Sequence, residues 1–352
     1  MKQIKDLCDY LVRAWKPENL RWGWGEGLFT YALAELDNYL KEDRYIGFYK
    51  TYCDKYAAEH PDIDCSDTAA PGLTSYALFK KTGDARYKAL TDSVINYIEN
   101  APRILEDAPN HFGTSKDAAT YPQSIWVDSL MMFSVFTARY GAENGLGNMI
   151  DYAARQPASY AKYLMDKDDK LWYHSYWVKQ HTHYPRRKLY WGRGNGWVIA
   201  SFPMIYESIG KDHPLAKEIA EIYQSTSAAL LNYQRSDGAF ETVFNKVGKT
   251  YRELSATALI AGGWLHGIRL GILDKSYLKP ALKAYNLCID SIICEDGGVF
   301  FPEISRPTVP MKYIPYLWYK YLPRGRNWNY GVAALIFAAI NYDKIKTAIA
   351  EA

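Results

Sequence analysis

The chain has 352 residues, with 42 basic against 39 acidic side chains and a formal net charge of +3. A balance so near neutral, with no long basic run, argues against nucleic acid and anionic membrane as partners. Hydrophobic residues make up 48 %, yet no window approaches the roughly 18 apolar residues of a membrane span, so a large globular core is expected and a membrane segment is not.

The first fifteen residues, MKQIKDLCDYLVRAW, carry charges throughout and lack the apolar stretch of a secretion signal. The five cysteines (Cys8, Cys53, Cys65, Cys288 and Cys294) are odd in number, scattered and without a CxxC pair. They predict a reduced, cytoplasmic location with no disulfide framework and no zinc site.

Along the chain, two kinds of helical segment alternate. An amphipathic stretch near 2–15 leads through RWGWGEG into GEGLFTYALAEL, apolar on every face and rich in small residues. A second amphipathic stretch near 45–58 leads through DCSDTAAPG into APGLTSYALFK. The third, near 86–101, contains RYKALTDSVINYIE, with apolar residues at three- and four-residue steps. It precedes HFGTSKDAATYP and SIWVDSLMMFSVF, read as an apolar helix with Asp128 inside it. Stretches near 145–165, 214–234 and 275–294 precede GNGWVIASFPMIYESI, SATALIAGGWLHGI and NYGVAALIFAAI, through the loops LYWGRGNGW, KTYRELSA and RGRNWNYG. GAFETVF and GGVFF read as short strands or extended loops.

Helices that are hydrophobic all round are buried, and amphipathic ones face water on one side. Six outer and six inner segments in strict alternation therefore predict an all-α fold, a closed (α/α)6 barrel or six-hairpin toroid. An open solenoid or two bundles are the alternatives. No Pro/Gly/Ser-rich linker divides residues 1–352, so one domain is expected. In a toroid the inner helices run parallel, and their N-termini gather at one end with free N–H groups and partial positive charge. That end is suited to an anionic ligand.

Composition narrows the chemistry. Aromatic residues reach 15 %, with 31 Tyr and 11 Trp, enough to fill a core and also to line a cleft for sugar rings. Asp128, beside Trp126 and near Met132, is either a hydrogen-bonded interior aspartate or a general acid whose pKa is raised by apolar surroundings. Asp67 is either an N-cap or a second carboxylate facing Asp128, with Asp64 as competitor. In YWGRGNGW, Trp191 and Trp197 flank Arg193, whose guanidinium fork suits a sugar acid; a structural aromatic turn is the plainer reading. His174 sits among aromatics in LWYHSYW. His181 and His183 lack a third ligand, and their segment, with Arg186, Arg187 and Lys188, reads as a solvated loop. Trp22, Trp24 and Glu26 read as core or cleft, and Glu253, Arg324 and Arg326 as surface charge or site. No nucleophile elbow, phosphate loop or dinucleotide fingerprint occurs.

WGWGEGL, DTAAPGL with FKKTGDARY, YPQSIWVDSLMM, YHSYW and WGRGNGW, in this order, resemble the unsaturated rhamnogalacturonyl hydrolases of glycoside hydrolase family 105, relatives of the family 88 unsaturated glucuronyl hydrolases. The resemblance spans nearly the whole chain. It implies an (α/α)6 barrel without metal or cofactor, acting on a Δ4,5-unsaturated uronyl oligosaccharide made by a lyase; a monomer or homodimer is expected. In that family an aspartate protonates C4 of the vinyl ether and activates water to add at C5. Carried over by motif, Asp128 is the proton donor, Asp67 the second aspartate and His174 the pocket histidine. Trp191, Arg193 and Trp197 match the pocket loop, and Trp24 falls where an aromatic lines the uronate subsite. Burial is expected to keep Asp128 protonated near neutral pH. One departure concerns the second sugar: family members carry a histidine eleven residues before the catalytic aspartate, and this chain has Asp117. An (α/α)6 sugar epimerase and a non-catalytic carbohydrate-binding protein are the competing readings.

Overall fold

The structure, a computed structural model, describes residues 1–350, with side chains to residue 346. Its helices are α1 (Lys2–Ala14), α2 (Trp24–Leu40), α3 (Ile46–Glu59), α4 (Ser66–Ala69), α5 (Gly72–Thr82), α6 (Ala85–Asn100), α7 (Val135–Glu143), α8 (Gly147–Leu164), α9 (Gly192–Ile209), α10 (Ala216–Leu231), α11 (Leu254–Arg269), α12 (Leu278–Asp290), α13 (Pro315–Lys320) and α14 (Asn329–Ala350).

The predicted outer set appears as α1, α3, α6, α8, α10 and α12. In α1 the buried residues Ile4, Leu7, Cys8 and Leu11 fall at i, i+3, i+4 and i+7, so one stripe packs and the rest meets water. The inner set is α2, α5, α7, α9, α11 and α14. Every residue of α11 from Leu254 to Gly267 is buried. The local signals are the ones the chain displays: Gly83 at φ +70° ends α5, and the Asp84 carboxylate then accepts from Arg86 N to start α6.

The inner helices close a ring. Thr30 Oγ1 of α2 meets Thr74 Oγ1 of α5 at 2.9 Å, and Tyr76 of α5 packs on Phe136 of α7. α7 packs on α9, α9 on α11 and α11 on α14. Phe337 of α14 returns to Tyr31 of α2. The fold is an (α/α)6 barrel.

One predicted element is wrong in a consequential way. SIWVDSLMMFSVF is not one helix. Ser124–Trp126 is the edge of a three-stranded antiparallel sheet with Ser175–Trp177 and Thr182–Tyr184, pairing Trp126 with Ser175 and Ser175 with Tyr184. The stretch 181–184, read as a solvated loop, thus includes the sheet's other edge strand, while Arg186, Arg187 and Lys188 are exposed as expected. A π-helical turn, Leu130–Ser134, then leads into α7. Asp128 lies in the corner between strand and helix. Periodicity missed this because a short buried strand and a buried helix are both continuous apolar runs. GGVFF does contain a strand, Gly298–Phe300, paired with Ile293–Glu295, and GAFETVF contributes only isolated bridges through Glu241 and Val243.

Candidate active site

At the end of the barrel where the inner helices begin, a cleft of about 230 Å³ opens between Trp24, Asp67, His111, Trp126, Asp128 and the wall Pro307–Val309 with Trp318. A larger cavity of about 390 Å³ lies at the opposite end, among the last turns of the inner helices. Most of its charges are engaged with one another, Arg139 with Glu35 and Glu207 with both His266 and Arg269. The smaller cleft holds the reactive groups.

The strand-to-helix corner aims Asp128. Val127 N donates to the carbonyl of His174, continuing the sheet by one bond. The Asp128 carbonyl accepts from Met131 and Met132 N and so starts the helix behind it. This brings His174 Nε2 to 3.5 Å from Asp128 Oδ2. Neither atom has a completed hydrogen bond among the described residues, although both are buried. Buried polar atoms are nearly always satisfied, so an open pair facing a cleft marks a place where a ligand completes the set. His174 Nδ1 lies 2.9 Å from the Tyr319 hydroxyl. With Nδ1 accepting from that hydroxyl, Nε2 carries the proton that faces Asp128.

Asp67 is held from behind. Trp22 Nε1 donates to the Thr68 carbonyl at 2.8 Å, anchoring α4. The N-cap of α4 is Cys65, so Asp67 is not a cap. Asp64 accepts from Thr68 Oγ1 at 3.1 Å and is occupied within the loop. His111 Nε2 stands 3.8 Å from Asp67 Oδ1, while its Nδ1 meets Ser129 Oγ at 2.9 Å. Ser129 in turn donates to Ser66 Oγ. The His111 ring stacks flat on Trp126, centroids 4.3 Å apart, and Trp126 turns its edge to His174.

The electrostatics reverse one expectation. Burial, the charge of Asp128 and that of Asp117 push Asp67 up to about 8. Burial would raise Asp128 too, but the His174 contact and the neighbouring positive charge, Arg193 included, outweigh it and hold Asp128 below its ordinary range. The surroundings of Asp128 are not simply apolar, and near neutral pH the proton rests on Asp67. Burial also lowers both imidazoles, His111 to about 4, so they are neutral near pH 7.

Of the residues singled out from the sequence, Asp67, Asp128 and Trp24 line the cleft. His174 is directly behind Asp128, and Trp191 stacks on His174 with centroids 4.1 Å apart. Trp197 meets Trp24 edge-on and is buried. Arg193 does not line the cleft: it is buried and donates to the carbonyls of Ser305 and Arg306, each at 3.0 Å. Glu253, fully buried rather than surface charge, is 3.7 Å from it and also receives Ser305 N. Together they fasten the segment that continues into the cleft wall at Pro307–Val309. Asp117 is exposed in a short turn at the rim. The cleft nonetheless has a histidine on that side, His111, which stood in view in the loop HFGTSKDAATYP. The wall from Pro307 to Trp318 carried no sequence signal, since it lies outside the six loops that precede inner helices.

Residues 1–346 match Glycosyl Hydrolase Family 88. The unsaturated rhamnogalacturonyl hydrolase YesR of Bacillus subtilis is 27 % identical over 345 residues, covering 96 % of this chain and 95 % of that one. A glycoside hydrolase from family 105 of C. acetobutylicum superposes with a TM-score of 0.88 at 24 % identity, over 98 % of this chain and 100 % of that one. The unsaturated glucuronyl hydrolase of Bacillus sp. GL1 superposes with a TM-score of 0.73 at 17 % identity, over 92 % and 87 % of the two chains. These two structures share the barrel.

Proposed function

We propose, since the chain belongs to Glycosyl Hydrolase Family 88, that this glycoside hydrolase releases a Δ4,5-unsaturated uronic acid from the non-reducing end of lyase-generated oligosaccharides. The observation that supports it most is the pair Asp67 and Asp128 in one small cleft, sharing a single proton near neutral pH. A hydration needs that combination: one proton to give to carbon and one base to take a proton from water.

Substrate entry displaces water from the cleft and places the uronate's negative charge in the same volume. Both effects disfavour negative charge on the pair and raise the pKa of Asp128, and the one proton of the pair, placed on Asp128, is the proton given to carbon. Asp128 then protonates C4, and positive charge develops on C5 and the ring oxygen beside the carboxylate of Asp67. Water adds to C5 and gives its proton back to Asp128. The C5 hemiketal opens by breaking its bond to the ring oxygen, leaving a C5 ketone and a hemiacetal at C1. Loss of the next sugar as its alcohol from C1 completes the step, and one water is consumed. Trp24 and Trp126 offer flat faces to the ring, and His174 stands behind Asp128 with its Nε2 3.5 Å from the carboxylate.

The test is the loss of the conjugated double bond's ultraviolet absorbance across a panel of unsaturated disaccharides from pectin, glycosaminoglycans and other uronate polymers. Decay with one substrate, reduced at least ~10²–10⁴-fold in Asp128→Asn, is the expected result. A flat trace from folded protein over the whole panel would instead favour the epimerase or binding reading.

A further inference from the structure

Large apolar side chains are seldom exposed in this protein, and those that are concentrate in one place. Tyr313, Ile314, Leu317, Trp318 and Tyr321 are between 38 and 71 % exposed, and among the described residues only Leu146, Leu231 and Val247 join them. Four of the five, Ile314, Leu317, Trp318 and Tyr321, stand at i, i+3, i+4 and i+7. They form one stripe on α13 and its flanks, about 10 Å long. The opposite face carries Tyr319, fully buried against His174 and Trp191. This short helix therefore has an apolar face on both sides, one packed and one bare. A contiguous bare patch on a folded chain commonly marks a binding surface.

The stripe is continuous with the cleft. Trp318 lines it, and its indole donates to Thr308 Oγ1, also on the cleft wall, at 2.7 Å. Ile314, a β-branched residue, holds φ +46°, a conformation such residues seldom adopt. Lys312 and Lys320 border the stripe over the rings of Tyr313, Tyr316 and Tyr321, and among the described residues neither has a carboxylate within ion-pair distance. Flat rings edged by unpaired ammonium groups suit a chain of sugar rings that carries carboxylates or sulfates.

We propose that the α13 face is an extended subsite on which the leaving part of an acidic oligosaccharide, beyond the first sugar after the bond cleaved, lies on Leu317, Tyr321 and Tyr313 with its anionic groups toward Lys312 and Lys320. The inference rests on the reading of the cleft as the place where the terminal uronate is bound. It implies a preference for acidic chains longer than a disaccharide, which the cleft alone does not confer.

The experiment is calorimetric titration of Asp128→Asn with unsaturated disaccharides and hexasaccharides prepared from pectin and from a glycosaminoglycan. The same titration is made on that protein carrying Tyr313→Ser, Leu317→Ser and Tyr321→Ser, with light scattering on both. The hexasaccharide of one polymer is expected to bind about tenfold tighter than its disaccharide. The surface substitutions should remove that gain, leave disaccharide affinity unchanged and leave the particle mass unchanged. Added salt should weaken the hexasaccharide more than the disaccharide. Equal affinity for both lengths, or a length preference untouched by the substitutions, overturns the proposal. So does a dimer that the substitutions dissociate without changing length preference, since a second copy then covers the face. If the hexasaccharide gain is present while the wild-type protein leaves every double bond intact, the extended subsite stands and the hydration reading falls.

Discussion

At the scale of single residues, the informative feature is a difference between two aspartates. Asp67 has few donors and a charged neighbour, and its folded pKa of about 8 lies far above its ordinary value. In the free enzyme kcat/KM should therefore fall as pH rises through about 8, where the shared proton is lost. Asp67→Asn should abolish that basic limb and lower kcat, and a pH-rate profile of both proteins checks it. The same shift has a consequence for stability. Asp67 keeps its proton when folded and loses it when unfolded, so stability falls as pH rises from about 4 to about 8. Asp67→Asn should accordingly raise Tm, and the gain over wild type should widen across that window. A merely structural aspartate with a depressed pKa would show the reverse.

At the scale of elements, the site is assembled from junctions. Asp128 sits between a three-residue strand and a π-helical turn, an arrangement that recurs near functional sites. The strand brings His174, and the turn directs the helix away so that the carboxyl remains in the cleft. The start of α11 works similarly. Glu253 caps it through Ala256 N at 2.6 Å, and the same carboxylate meets Arg193 and Ser305 N. Glu253→Ala leaves the Arg193 guanidinium buried without its carboxylate. It is expected to cost about 3–5 kcal/mol, measured by urea denaturation, and to raise KM as the Pro307–Val309 wall loosens. A surface Glu253, the plainer reading of its sequence, would cost about 0–1 kcal/mol instead.

At the scale of the whole molecule, the ring depends on close approach of inner helices. A Cβ on Gly27 would lie 2.7 Å from Pro71 Cα, with only backbone and a proline ring to give way. Gly27→Ala should destabilise by about 1–3 kcal/mol and, by pushing α2 from the junction of α4 and α5, should separate Trp24 from Asp67 and depress kcat/KM. Thermal unfolding and steady-state rates measured on one preparation check both effects. Among the described residues no helix is long and apolar enough to cross a membrane.

The alternation of amphipathic and all-round apolar segments determined the barrel, because burial on one side or on every side is written in local periodicity. It also determined which end holds the chemistry, because parallel inner helices must gather their leading loops together. Asp67 and Trp24 were legible as unusual residues in those loops, Asp128 as an acid inside an apolar run and His174 as a histidine among aromatics. The tertiary structure alone decided how they share the work. A pKa depends on every charge and donor within a few ångströms, and those around Asp128 come from segments as distant as His174 and Arg193. Likewise the fork of Arg193 reads as a ligand for sugar acids until Ser305, Arg306 and Glu253, more than fifty residues away, are found to occupy it. The Pro307–Trp318 wall reaches the cleft only by a chain crossing that no local pattern records, whereas His111 stood in a leading loop and its stacking on Trp126 was decided by the tertiary structure.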